Sequence, residues 1–301
     1  MGAEKFLAVI VMACGGGNIR DSVLDTLESV EHYCPEPHSI VILDDCTTDG
    51  TYEAVKRIKR GNWHLMRTDQ PNGIAKLTHT LQAAFRYIVD NIDCRFVLKI
   101  DSDALMIHPG ILTDAVKYME SHPRVGVFGV HKVDYNRPRT YVVHARAISR
   151  RMAGWRIFFG LRPAWYDLMK RAEANGYDRG DNIFCCYFLT MEALRAMYNI
   201  GALNMPYFWK ARIEEDVYFP MASVAAGYEL GHFAAPEGPL CLEWKGLPLP
   251  ARELWEKKFK LVHSVDKGFN TGPAENAGKT AREVFRELRR AAAHPDFKLR
   301  R

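Results

Sequence analysis

Long apolar runs are missing from this chain. The longest near its start, Phe6 to Cys14, is about half of the ~20 residues that cross a bilayer, so no membrane span is expected. Neither a basic leader nor a small-residue cleavage site accompanies it, so a secretory signal is not expected either and a cytoplasmic location is. Cysteine is scarce and unpatterned. There are seven (14, 34, 46, 94, 185, 186 and 241), with one adjacent pair and no C-x-x-C. That argues against a disulfide framework or a Cys-built zinc site and leaves reduced, mostly buried thiols. There is no internal repeat and no low-complexity tract, and the balance of apolar, Gly and Pro residues excludes collagen, coiled coil and disorder.

What is present is ordinary globular composition: 301 residues, 48% hydrophobic and 26% charged. A chain of that length buries most of its apolar surface as one large domain or two fused halves. The net charge of +5 is unevenly placed. Residues 144–173 hold seven Lys/Arg against Asp167 and Glu173, and residues 279–301 hold eight against Glu283, Glu287 and Asp296. The remainder is therefore acidic. An acidic body with two basic segments is no general nucleic-acid binder; it points to a local anionic contact, such as a membrane surface or a phosphorylated lipid.

The first ~130 residues alternate strand and helix signals. Phe6–Ala13 is rich in Val and Ile, as a strand buried on both faces should be. Val23, Leu27 and Val30 recur at helical spacing, and Ser39–Leu43 is a second strand ending in Asp44-Asp45. Thr51–Ile58 reads as a helix capped by Asp49 or Thr51, and Leu77, Leu81, Phe85 and Ile88 mark a third. Phe96–Ile100 is the next strand, ending in Asp101; a helix after Pro109 and a strand over Val125–Val130 follow. This alternation specifies βαβ units, a mostly parallel sheet flanked by helices, and a ligand beyond the carboxyl ends of the strands. Later come a strand over Ile183–Leu189, helices over Met191–Met197 and from Asp216 to Ala226, and a terminal helix over Thr280–Ala293.

Three acidic clusters stand at strand or helix ends. Asp101-Ser102-Asp103 follows a buried strand, and its two carboxylates converge only if the backbone bends out of the strand. Such a pair suits a hard divalent cation that also takes phosphate oxygens; an ordinary turn is the alternative. Glu214-Glu215-Asp216 is three acids in a row, which repel unless solvated or liganded, or else enrich a helix N-terminus for its dipole. Asp44-Asp45-Cys46-Thr47-Thr48-Asp49-Gly50-Thr51 closes strand two, as a capped turn that can also touch a ligand.

Taken in order, these clusters resemble the inverting GT-A glycosyltransferases of family two over roughly residues 6–235. The turn after strand two, the D-x-D at Asp101-Ser102-Asp103, and Glu215-Asp216 ahead of a helix followed by Gly227-Tyr228 carry the likeness. The resemblance implies a GT-A fold with a nucleotide-sugar-binding half (1–130), an acceptor half (131–262), and a tail with a basic helix (263–301). It implies that Asp44 accepts from the nucleobase, that Asp103 holds a metal (Mn2+ or Mg2+), and that Asp101 faces the ribose or the metal. It implies Asp216 as general base with Glu215 beside it. Ala13, Cys14 and Ser102 complete the nucleotide contacts, and Lys76, after Asn72-Gly73, is the nearest match to a basic residue of the third helix. His263 would close over the diphosphate or bind the metal; a packed or solvent-facing histidine is the alternative. The Q-x-x-R-W of processive members is absent, so addition of one or a few sugars is expected, from a nucleoside-diphosphate sugar with UDP favoured, to a glycan or lipid-linked acceptor in polysaccharide assembly.

Other segments stay open. Trp155, Phe158, Phe159 and Trp165 among Arg150, Arg151, Arg156 and Arg162 read as an interfacial helix for a lipid-linked acceptor, or as one buried on the sheet or a homodimer partner. Trp209 and Lys210 could contact acceptor or phosphate, or pack as a loop. The terminal helix, with Val284, Phe285 and Leu288 on one face, reads as a docking helix more than a membrane anchor. Rival classes are a dinucleotide-binding oxidoreductase (Gly15-x-Gly17, with Arg20 at the third glycine position), a sugar-1-phosphate nucleotidyltransferase, and a non-catalytic nucleotide-sugar-binding module.

Overall fold

Strand-forming runs of Val, Ile and Leu alternate with amphipathic helices to build a three-layer α/β arrangement. The computed structural model describes residues 6–13, 17–72, 77–135, 137–138, 164–178, 181–205, 214–243, 246–267 and 278–292. The first half runs β1 (Phe6–Ala13), α1 (Arg20–Tyr33), β2 (His38–Asp44), α2 (Thr51–Ile58), β3 (Trp63–Arg67), α3 (Leu77–Asn91), β4 (Cys94–Asp101), β5 (Leu105–Met106), α4 (Ile111–Ser121) and β6 (Val125–His131). It continues with β7 (Val133–Asp134), β8 (Arg137–Pro138), α5 (Ala164–Ala174), β9 (Ile183–Thr190), α6 (Met191–Asn199), α7 (Glu215–Ala225) and β10 (Glu229–His232). The last elements are β11 (Leu240–Leu242), α8 (Ala251–Glu256), β12 (Leu261–His263) and α9 (Ala281–Ala291).

The main sheet has seven strands in the order β10-β6-β9-β4-β1-β2-β3. Neighbours are parallel except β9, which runs antiparallel to both β4 and β6. Because β4 is covered on both faces, alternate residues serve two cores. Phe96, Leu98 and Ile100 enter the core under α1 and α4, while Val97 joins the one under α3, α6 and α7. The second core includes the edge-to-face pair Phe85–Phe219. A smaller sheet, β11-β12-β5, packs with α8 and α9 over a third cluster containing Leu105, Val262, Leu254, Val284 and Phe285.

Helix starts follow local chemistry. Gly50 precedes α2 with φ +83°, a left-handed conformation that suits glycine. The cap position is thus Gly50 rather than Asp49 or Thr51, and Asp49 Oδ1 instead closes the turn by accepting from the Thr51 amide and hydroxyl at 3.1 and 2.5 Å. Helix α9 begins with a capping box between Thr280 and Glu283. No helix among the described residues is long and apolar enough to cross a membrane.

Candidate active site

The D-x-D leaves β4 in a turn closed by the Ala104 amide on the Asp101 carbonyl at 3.1 Å. Three other elements hold that turn. The Thr26 hydroxyl of α1 reaches the carbonyls of Ser102 and Ala104, each at 2.8 Å. The Arg282 guanidinium of α9 donates to the Ser102 carbonyl at 3.1 Å, and the segment after β12 runs alongside, with the Val265 amide on the Asp103 carbonyl at 2.8 Å. The backbone therefore bends out of the strand, which is the condition for Asp101 and Asp103 to converge.

The carboxylate of Asp103 receives the Ser264 hydroxyl and lies 3.1 Å from His263 Nε2. Burial alone would raise its pKa; the His263 and Ser264 contacts override this and hold it well below the usual carboxylate range. His263 Nε2 is also 3.7 Å from Asp101, while its Nδ1 is bonded to the Glu243 carbonyl at 3.0 Å. That carbonyl accepts only N–H, so it fixes Nδ1 as a donor and turns Nε2 toward both carboxylates. His263 is buried rather than solvent-facing, with Nε2 turned to this cluster.

Lys99, fully buried on β4, joins the acidic motifs. Its ammonium reaches Asp101 at 2.6 Å, the Cys185 carbonyl at 2.9 Å and Glu215 at 3.2 Å, one acceptor for each N–H. Burial would depress its pKa, but Asp101 and Glu215 raise it well above the ordinary lysine value, so the charge is retained. Two motifs far apart in the chain thus meet at one cation. Asp216, the next residue on α7, accepts from the buried Asn182 side-chain amide at 3.3 Å. Both acids lie in the first turn of α7, and Pro220 within the helix has no N–H to offer the Asp216 carbonyl.

Asp44 ends β2 opposite Ala13 of β1, so both stand at the same sheet edge. The Asp44 carboxylate is buried, taking the Thr47 hydroxyl at 2.5 Å with Arg67 Nε at 3.3 Å. Burial raises its pKa, with Thr47 and Arg67 opposing. Asp45 is structural here, holding the Thr68 hydroxyl and the Asn72 amide. Cys14, Lys76, Trp155, Phe158, Phe159, Trp209 and Lys210 lie outside the described residues.

Residues 8–195 match the family model described as Glycosyl transferase family 2. The chain belongs to glycosyl transferase family 2. Its α/β architecture is the GT-A arrangement that the sequence implied. No curated protein matches the sequence. Among solved structures, it is similar to the mannosyltransferase PcManGT from Pyrobaculum calidifontis, in complex with GDP-Man and Mn2+, at 17% identity and a TM-score of 0.47, covering 88% of this chain and 59% of that one. It is also similar to TarS 1-349 of S. aureus at 16% identity and a TM-score of 0.43, covering 76% and 58%. The chain thus spans somewhat under three fifths of the length of each.

The donors in this family 2 domain fit a divalent cation. A histidine nitrogen aimed at two carboxylates is repulsive unless a proton or a cation lies between them, and two carboxylates with one imidazole form an oxygen-rich set suited to Mn2+ or Mg2+. One ligand atom each from Asp101, Cys185 and His263 lie within 4.8 Å of one another. Sequence reasoning missed Cys185, Lys99 and Arg282. Cys185 was one of several apolar-flanked thiols. Lys99 did carry a signal, being a single cation inside a run otherwise buried on both faces, where a charge needs carboxylate partners.

Proposed function

We propose that the chain transfers a sugar from a nucleoside-diphosphate sugar, UDP-linked by preference, to an acceptor hydroxyl with inversion at the anomeric carbon. The single observation that carries this reading is the Lys99 ammonium, which draws the D-x-D and the Glu215-Asp216 pair to one place. Asp103, Asp101 and His263 would hold Mn2+ or Mg2+, whose chemistry there is to meet the negative charge collecting on the departing diphosphate.

The chain's own residues do the rest. Ala13, Asp44 and Ser102 stand at the sheet edge where a nucleotide would lie, with Asp44 offering its remaining lone pairs to a base N–H. Glu215 is engaged by Lys99, which leaves Asp216 as the carboxylate to accept the proton of the attacking hydroxyl at an Oδ atom. The Asn182 amide orients that carboxylate. A base on the face opposite the leaving group permits one in-line displacement, and one displacement inverts.

Asp216→Asn tests the assignment. Transfer should fall about 10²–10⁴-fold, while nucleotide binding, followed by calorimetry, stays within a few-fold of wild type. Joint loss of binding and transfer would remove Asp216 from the role of base.

A further inference from the structure

Strand β9 does not run straight past the D-x-D. Its pairing with β6 goes from Gly129↔Tyr187 to Val130↔Phe184, so Cys185 and Cys186 are bulged out of the register. Bulges beside functional sites re-aim a side chain. Cys185 sits in the bulge with φ +50°, a left-handed conformation uncommon for a residue with a Cβ. Two features hold it there. Lys99 grips its carbonyl, and Gly129 opposite has no side chain: a Cβ at that position would come within 2.8 Å of Ile183 and 3.1 Å of the Cys186 carbonyl.

The bulge brings the Cys185 sulfur among the Asp101 and His263 ligand atoms, all within 4.8 Å of one another. Three donors from three separate elements, β4, β9 and β12, face one point. The Phe184 ring packs edge-on against the His263 ring, with centroids 6.2 Å apart. Carboxylate and imidazole suit hard and borderline cations, whereas a sulfur ligand favours soft ones.

We infer that Cys185 is a further protein ligand of this cation site, beside Asp101, Asp103 and His263, and that the site therefore holds thiophilic divalent cations such as cadmium, zinc and cobalt more tightly than magnesium. This rests on the reading of Asp101 and His263 as cation ligands. When such a cation binds, a metal–sulfur bond forms, the S–H bond breaks and the proton leaves to solvent.

The test uses the full chain and two probes. Cd2+ alone is titrated in the absence of oxygen, following the ultraviolet thiolate-to-cadmium charge-transfer band. Mn2+ is followed by its free-ion EPR signal with UDP, dTDP, GDP and CDP in turn, and is then displaced by Cd2+. Wild type should bind Mn2+, develop the band at one equivalent of Cd2+ and release Mn2+ as it does so. Cys185→Ser should weaken Mn2+ binding far less than Cd2+ binding, lose the band and need at least about tenfold more Cd2+ for displacement. Cys185→Ala repeats the measurement in case Ser disturbs the bulge, with cooperative melting checked for both. A band unchanged in both variants assigns the sulfur to another cysteine and overturns the inference. Mn2+ binding without a wild-type band overturns it while leaving the proposed transfer standing; absence of Mn2+ binding with every nucleotide overturns both.

Discussion

An ammonium has three N–H groups, and those of Lys99 go to Asp101, Glu215 and the Cys185 carbonyl. Removing the cation leaves two carboxylates facing each other across a low-dielectric gap. Breaking a buried ion pair in this way costs about 3–5 kcal/mol. Asp101 and Glu215 keep some solvent contact, with side chains 24% and 12% exposed, which places Lys99→Met near the lower end. The variant should melt several degrees lower. Lys99→Met combined with Glu215→Gln should recover part of the loss, because one of the two stranded charges is gone; strict additivity in that double-mutant cycle would deny the contact its weight. The acidic motifs were legible because clustered acids at strand ends are unusual on their face. The cation that unites them was not, since nothing in F-V-L-K-I says that its partner lies 116 residues away.

Helix α9 shows that part of a basic segment's charge can serve the fold. The run 279–301 suggested an anionic surface, yet Arg282 and Arg289 turn inward and, with Arg286, surround the buried Asp25 of α1. Arg282 engages all five of its N–H donors, two on Asp266 and one each on Asp25 and the carbonyls of Ser22 and Ser102. The docking face of Val284 and Phe285 was readable from helical spacing; the inward arginines were not, because Asp25 lies at the other end of the chain. Burial would raise the Asp25 pKa, but Arg289 and Arg282 outweigh it and hold it below the usual value of 3.8. A depressed carboxylate stabilises the fold fully above its unfolded pKa and stops doing so as pH falls through the folded one. Asp25→Asn should therefore cost about 3–5 kcal/mol at neutral pH. Its melting deficit should persist down to about pH 5 and close below about pH 4; a pH-independent deficit would mean that packing, not charge, is what was lost. One further element and the direction of another eluded sequence reasoning, for different reasons. Strand β3 (W-H-L-M-R) lies at the sheet edge with mixed polarity, so its periodicity is weak. Strand β9 was expected over Ile183–Leu189, but its eight buried residues read alike in either direction, so its antiparallel course was not legible.

Across the whole molecule, the D-x-D lies where the first and last described elements, β1 and α9, meet. The carboxyl ends of β1, β2 and β4 supply one wall, as alternating strands and helices foretold, while residues 263–266 and α9 return to hold the other. A ligand on Asp101 and Asp103 should therefore stabilise more than its own pocket. Thermal unfolding with UDP, dTDP, GDP, CDP and NAD, each with and without Mn2+, reads this out. A ligand at 100 times its Kd adds about 2.7 kcal/mol, roughly 4 °C for a chain of this size. One nucleoside diphosphate should act, and only with the metal. Amide exchange should slow at residues 261–267 and in α9 as well as at 101–106, since those segments share the hydrogen bonds that fix the turn. Slowing at 101–106 alone would show that the returning segment merely leans on the site. A melting shift with NAD and none with any diphosphate would make Gly15-x-Gly17 the operative feature and return the acidic motifs to ordinary turns.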